Sequence, residues 1–262
     1  MVTAMNICLF TPEEIAKPLD IRDARAEHIL KILHKKVGDS FTAGVIGGMA
    51  GHATITGIDI REESSPDGRK HFDAGSIRFS FTEESDGKPL FPLCMIIGFP
   101  RPIQLKRLLR DMAGLGVAEI HLTGTELGDK SYLKSNLATS DAGYQMLLEG
   151  TQQAGGTHVP RLFRHNTLAE CLAAVDGDCR RLALDNVRPE TSLHAFLLQH
   201  PEEKMSRTVA AIGSERGWTD SERQLLSHSG YTLLGMGSRI LRTETAATVA
   251  ASLILAAGGA LS

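Results

Sequence analysis

The chain has 262 residues and a formal charge of −3, so it is not a uniformly basic nucleic-acid-coating protein, and any grip on RNA has to come from a local patch. No apolar run reaches membrane-spanning length, and the opening MVTAMNICLF lacks the charged-then-apolar layout of a signal peptide, so a cytoplasmic location is expected. The four cysteines are scattered without a CxxC pair, which argues against a metal site and a disulfide framework and for reduced core thiols.

Residues 1–84 read as β-rich. Strands are expected at 6–10, 40–46, 52–60 and 76–81, separated by Gly47-Gly48 and by the polar excursion REESSPDGRKHFD at 61–73, read as an exposed hairpin tip. Short strands at this spacing suggest a small barrel. Between the first two strands, 26–34 reads as an amphipathic helix whose buried side is Ile29, Leu30, Ile32 and Leu33. Arg22, Arg25, Lys31, Lys35 and Lys36 form the most basic cluster here; they suit phosphate contacts, or equally a solvated helix face. The charged, Pro-containing stretch TEESDGKPLFP at 82–92 is the best linker, which places a boundary between 84 and 85.

From Leu93 the pattern alternates. Strands are expected at 93–98, 117–122, 161–163, 181–184 and 208–212, with helices at 102–114, 131–152, 168–175 and 192–199. That alternation is the signature of a parallel sheet covered by helices. There is no G-x-G-x-x-G after the first strand, so a conventional dinucleotide site has no support.

The stretch 207–255 organises the chain. A strand at 208–212 ends at Gly213, and Thr219 with Glu222 is a capping-box pattern that starts a helix near Asp220. Gly230 fits the position after that helix, a second strand follows at 231–234, and Gly235-Met236-Gly237-Ser238 is a second flexible loop. An Ala-rich helix begins near Leu241 with Glu244 in its first turn. Two glycine loops at adjacent strand ends make a ligand place in an open α/β sheet, although glycine at a strand end also serves turns alone.

The string IGSERGWTDSE, then Leu234-Gly235, then RILRTETA at 239–246 resembles the carboxyl-terminal signature of the RsmE family. These SPOUT-class enzymes methylate N3 of a uridine in 16S ribosomal RNA with S-adenosylmethionine. Further likenesses are EHILKILHKKVGD, where His28 matches a family histidine; LGVAEIHLTGTE, matched at Leu115, Gly116, Val117, Ile120, Thr125 and Glu126; and EGTQQAGGTHVP, matched at Glu149, Gln153 and Pro160. The chain departs from the family at Gly156 (an arginine), Asp111 and Gly114 (a lysine and a glutamate), Ser214 (a proline), Arg216 (a glycine) and His34 (an arginine), and no basic residue stands in 5–10. These changes remove groups expected near the RNA or the knot and leave the cofactor loops intact.

The resemblance implies an α/β fold: a SPOUT-type domain at 85–262 with a carboxyl-terminal trefoil knot, preceded at 1–84 by a small PUA-like β-barrel that binds RNA. It implies S-adenosylmethionine as cofactor, no metal, 16S ribosomal RNA in the small subunit as partner, and a homodimer with the knot at its interface. Gly213, Ser214, Glu215, Gly217, Leu234, Gly235, Arg239, Ile240, Leu241 and Thr245 are its cofactor-pocket positions, with Leu184 and Asp185 as weaker ones. Arg22, Arg25, His28, Lys31, Lys35 and Lys36 are its RNA-binding candidates.

Arg242 is the candidate positive group for the oxyanion that develops on the base, against a role in a carboxyl-terminal salt bridge; Glu215 and Glu244 are the candidate proton acceptors, against helix capping. Trp218 packs on cofactor or RNA, or in the core or a dimer. The Ala-rich helix at 245–257 suits close contact in a dimer, or burial on the sheet. Two other functions are compatible with the sequence: a non-catalytic RNA-binding or ribosome-assembly factor on the same fold, and a SPOUT methyltransferase with a different RNA target.

Overall fold

The computed structural model describes residues 6–64, 70–132, 141–175, 177–201 and 205–261, without the side chains of 61–64 and 70–73. The chain divides into two units, 1–89 with 151–159, and 90–150 with 160–262.

The first unit is a five-stranded sheet built from β1 (Cys8–Phe10), β2 (Leu19–Asp20), β3 (Ser40–Val45), β4 (Ala50–Ser64) and β5 (Lys70–Ser85). Its order is β1-β3-β4-β5-β2; β1 and β3 are parallel and the other pairs antiparallel. Phe10, Phe41, Ile55 and Ile77 point from four strands into one core with Ala26 and Ile29. β4 and β5 run well beyond the apolar segments that signal them, because a backbone ladder needs no apolar side chains. The tip of the polar excursion, 65–69, lies outside the described residues. β2 was not expected; two residues carry no periodicity.

The expected helix at 26–34 is instead α1 (Ala24–Glu27), capped by Asp23, running into a π-helical turn at His28–Ile32. The N–H of Leu33 reaches back to His28 O at 2.9 Å. That wider register moves the buried face. Ile29 is fully buried as expected, but Ile32 and Leu33 face solvent at 48% and 39% exposure, and His28 takes an inner position at 1%.

Residues 151–159 return to the first unit around Thr157, which is fully buried. Its hydroxyl donates to Gly48 O (2.5 Å) with Gly87 O also within reach at 3.2 Å, its N–H donates to Gly87 O, and its carbonyl accepts from Gly47 N–H. Gly87 sits at φ +73°, and a Cβ there would strike the Thr157 hydroxyl. The glycines are what let this threonine enter.

The second unit is a seven-stranded, wholly parallel sheet with the order β10-β12-β9-β11-β6-β7-β8. Its strands are β6 (Phe91–Gly98), β7 (Val117–Thr123), β8 (Arg161–His165), β9 (Arg180–Leu184), β10 (Thr191–Ser192), β11 (Thr208–Ile212) and β12 (Thr232–Gly235). Its helices are α2 (Pro102–Gly114), α3 (Ala142–Ala154, whose last turn belongs to the first unit), α4 (Leu168–Ala174), α5 (Leu193–Gln199), α6 (Asp220–His228) and α7 (Thr243–Ala257). The helix expected at 131–152 begins at 142, and 133–140 lie outside the described residues. α2 buries Leu105, Leu108, Leu109 and Met112, the face its spacing predicts. The Thr219–Glu222 capping box forms at α6, and Gly230 follows it at φ +80°.

α7 packs against α2, α5, β6 and β11, burying Ala246, Ala247, Ala250 and Ala251. Trp218 is a core residue, 2% exposed, with Nε1 donating to Leu184 O at 3.0 Å. Cys8, Cys94 and Cys171 are buried thiols, and burial pushes Cys8 and Cys171 up to about 12.

His121 on β7 and His165 on β8 lie edge to edge, with Nδ1 of one 2.9 Å from Nε2 of the other and rings 3° from coplanar. Cys94, Glu119 and Cys171 converge on the same histidines. The facing nitrogens have the geometry of an imidazole–imidazole hydrogen bond. Burial, reinforced by His165, pulls His121 down to about 4 against the opposing pull of Glu119.

Two outcomes test these packing arguments. Thr157→Val keeps the shape and removes the hydroxyl, leaving Gly48 O without its donor; a loss of about 1–3 kcal/mol is expected in urea denaturation, and an unchanged midpoint would show the hydroxyl to be idle. His121 is neutral in the native chain, so the unfolded chain takes up a proton that the folded one refuses as pH falls from about 6.5 to about 4, and stability declines across that window. His121→Gln should therefore lose less melting temperature between pH 7 and pH 5 than the parent chain, by roughly 3 °C.

Candidate functional site

β11, β9 and β12 end level, with Ile212 opposite Leu184 and Leu184 opposite Leu234. The loops beyond these ends enclose a cleft of about 250 Å³. This is the carboxyl edge of a parallel sheet, where open α/β folds place ligands.

The first wall is the turn 213–217. Gly217 has φ +72°, and its N–H donates to Ser214 O at 2.9 Å. A Cβ on Gly213 would come within 2.9 Å of the Gly217 carbonyl carbon. Both glycines are thus required by the turn, and the same turn faces the cleft. Ser214 is 8% exposed and its hydroxyl has no hydrogen-bond partner among the described residues. An unmet buried hydroxyl costs about 1–3 kcal/mol unless a ligand or water meets it.

The second wall is the end of β9. Leu184 and Asp185 line the cleft, but the Asp185 carboxylate is committed to Arg223, whose Nε and Nη2 lie at 2.9 and 3.1 Å, and to the N–H of Arg188 at 2.9 Å. Burial pushes that carboxyl up, and these hydrogen bonds together outweigh it, holding Asp185 below the usual carboxylate range. Arg223 was not found by the sequence reading. Its signal is the i,i+3 pairing with Asp220 on α6, also present at 3.0 Å.

The third wall runs from β12 to α7. Leu234, Arg239, Ile240 and Leu241 line the cleft, as do Met236, Gly237, Thr243 and Ala246, which the sequence reading left out. Ile240 is 83% exposed at its rim. Gly235 lies outside the lining; a Cβ there would meet the Pro189 ring at 3.2 Å, so it lets the 187–190 turn close on β12. Thr245 is exposed and also outside the lining. Helical phase explains this: Thr243 and Ala246 share a face three residues apart, and Thr245 points elsewhere. Arg242 is the exposed N-cap of α7, and Glu244 sits half-buried in its first turn, both beside the cleft wall and not in it.

A second cleft, of about 290 Å³, shares the 213–217 turn. Ser214, Glu215 and Arg216 border both clefts, and the second is also lined by Phe99, Arg101, Tyr132 and the 127–129 segment with Asp129. Arg101 Nε lies 3.2 Å from a Glu215 carboxylate oxygen. Gly98, at the end of β6, makes the arrangement possible, since a Cβ there would strike the Ser214 backbone nitrogen.

In the first unit the basic residues do not act as one group. Arg25 turns inward, donating to Leu9 O, Glu14 and Asp23 with its guanidinium 4.7 Å from the Phe10 ring centre, and His28 is buried. Arg22 pairs with Asp20 at 2.7 Å and Lys31 with Glu27 at 3.1 Å, both exposed; Lys36 is exposed and Lys35 half-buried.

Residues 86–255 match the family model described as an RNA methyltransferase domain. The ribosomal RNA small subunit methyltransferase E of Treponema pallidum is 39% identical over 264 residues, covering 96% of this chain and 91% of that protein. Among solved structures, the ribosomal RNA small subunit methyltransferase E of Neisseria gonorrhoeae, bound to S-adenosyl methionine, superposes with a TM-score of 0.69 at 21% identity, over 96% of this chain and 97% of that one. A putative methyltransferase of Legionella pneumophila in complex with the same cofactor gives 0.72, also at 21% identity, over 97% and 98%. These two likenesses speak for the mixed α/β fold. With most of its length matched by the domain model and by the Treponema protein, the chain belongs to the RNA methyltransferase family of ribosomal RNA small subunit methyltransferase E.

Proposed function

We propose that this protein is an S-adenosylmethionine-dependent methyltransferase acting on N3 of a uridine in the 16S ribosomal RNA of the small subunit, in the cytoplasm and as a homodimer. The observation that carries the reading is the cleft at the level ends of β9, β11 and β12, with its buried, unpartnered Ser214 hydroxyl. The cleft suits the cofactor: Leu184, Ile212, Leu234, Leu241 and Ala246 offer apolar surface, and the glycine turns offer close backbone approach. When bound there, S-adenosylmethionine supplies an electrophilic methyl group.

The residues have separable tasks in this reading. The three walls hold the donor and exclude water from one side. Glu215, which borders both clefts, accepts the N3 proton, and Arg242 at the start of α7 holds the negative charge that spreads onto the base oxygens. Glu244 is the alternative acceptor, one step further from the cleft wall. We assign the amino-terminal unit, expected at 1–84 and formed by 1–89 with 151–159, as a PUA-like β-barrel that positions RNA, and the other unit, expected at 85–262, as a SPOUT domain whose carboxyl end is knotted. The strand order supports the knot: the chain reaches β12 near one edge and then sends α7 back across to β6 and β11. Lys35 and Lys36 are the residues of the basic cluster assigned to phosphates, joined by Arg22 and Lys31 where these exchange Asp20 and Glu27 for them, with Arg25 and His28 supporting them from inside.

The direct test is methyl transfer from labelled S-adenosylmethionine to unmodified small ribosomal subunits, with the product mapped by nuclease digestion and mass spectrometry. One 3-methyluridine in 16S RNA is expected; donor binding without transfer would instead favour a non-catalytic RNA-binding factor, and a different modified nucleotide a different target. Arg242→Ala should lower kcat by about 10²–10³ while donor affinity stays within a few-fold. Equal loss of donor binding would place Arg242 in the donor site instead.

A further inference from the structure

We infer that Cys94, Glu119 and His121 form a binding site for a zinc-class divalent ion, built into the sheet of the second unit and separate from both clefts. No CxxC spacing announces it; strand register assembles it. β6 and β7 pair with Cys94 opposite Glu119, and His121, two residues further along β7, shares a face with Glu119. One donor atom from each of the three lies within 4.8 Å of the other two. None of the three lines either cleft.

His121 carries the argument. It is 3% exposed, its Nδ1 is committed to His165 at 2.9 Å, and its Nε2 is a buried polar atom with no hydrogen-bond partner among the described residues. Nε2 lies 3.5 Å from Glu119 Oε2, too far for a good hydrogen bond. Two donors each about 2.0–2.1 Å from one tetrahedral zinc stand roughly 3.3–3.4 Å apart, so these two atoms are already near ligand spacing. A buried nitrogen left unbonded beside a carboxylate is a cost that a shared cation removes.

The surroundings are those of a held ligand. Donation from Nδ1–H to His165 fixes the tautomer that leaves Nε2 its lone pair, and Phe163 stacks on the ring with centroids 4.5 Å apart. Arg161 takes the other oxygen of Glu119, and Arg207 approaches Oε2 at 3.9 Å. Both arginine side chains are more than a third exposed, so solvent screens much of their repulsion toward an ion. A thiolate with an imidazole and a carboxylate is a zinc-class donor set; magnesium and calcium take shells of oxygen. On binding, the metal replaces the Cys94 thiol proton, which leaves to solvent, and water fills the fourth position of the tetrahedron. His121, His165 and Cys171 form a competing set, but its facing ring nitrogens stand at hydrogen-bond distance, closer than two ligands of one ion.

The test uses the reduced full-length protein, stripped of metal with a chelator and titrated with zinc, cobalt(II) or magnesium. Zinc should bind as one equivalent per chain and raise the melting temperature by roughly 5–10 °C at about 100 times its Kd, and magnesium should do neither. Cobalt(II) should give thiolate-to-metal charge-transfer absorption and the visible bands of tetrahedral geometry, lost in Cys94→Ser and kept in Cys171→Ser and Cys179→Ser. X-ray absorption on the zinc form of the parent protein should show a single sulfur at about 2.3 Å among nitrogen and oxygen neighbours, which reads the site even where Cys94→Ser fails to fold. Binding that magnesium matches, a zinc shell with no sulfur or more than one, or a cobalt band that survives Cys94→Ser or disappears in Cys171→Ser, would overturn the assignment.

Discussion

The site hangs on one close approach of backbone to backbone. At the end of β6, Gly98 lies so near the Ser214 nitrogen that no side chain fits between them. This contact sets the 213–217 turn over the end of the sheet, and the turn then forms one wall of each cleft. Parallel strands make the approach reproducible: β6, β11 and β9 are locked in register over five residues, so their ends stay level and the loops leave from a common plane. A slip of one residue would turn every side chain of a strand to the opposite face. The two clefts are therefore consequences of sheet register before they are consequences of any polar residue.

Below that turn lies a second fixed point, the buried pair of Asp185 and Arg223. Breaking one partner of such a pair leaves an uncompensated charge and is costly, commonly about 3–5 kcal/mol. Here the pair joins the end of β9 to α6, whose N-terminus begins just after the turn. Trp218 adds an apolar anchor and a hydrogen bond to Leu184 O. The wall at the end of β9 is thus held by charge, packing and backbone together, while Glu215, Arg239 and Arg242 are exposed around it.

Much of this was legible in the residues. Strand 208–212, helix α2 and the capped start of α6 follow from apolar spacing and the Thr219–Glu222 pattern, and the structure keeps all three. The loops that line the first cleft were legible too, from glycines at adjacent strand ends. What escaped was long-range or out of phase. Nothing local announces that Thr157 belongs with Gly48 and Gly87, or that Arg223 reaches Asp185 across 38 positions. The π turn at His28–Ile32 defeated a 3.6-residue pattern, exposing Ile32 and Leu33. Thr245 stands outside the lining that Thr243 and Ala246 share, a matter of helical phase that the i,i+3 rule expresses.

The return of 151–159 to the first unit bears on the order in which the chain is synthesised. Growing from its amino terminus, the nascent polypeptide has made β1 to β5 by residue 85, but the carbonyls of Gly48 and Gly87 and the N–H of Gly47 gain their Thr157 partner only some seventy residues later. During that interval the chain carries a nearly finished sheet with one seam open, while the first strands and helices of the other unit are already emerging. A fragment cut at the linker would preserve that unfinished seam permanently, whereas a bipartite fragment supplying 151–159 in trans would close it. The natural boundary of the amino-terminal unit is spatial, and no single scission of the chain reproduces it.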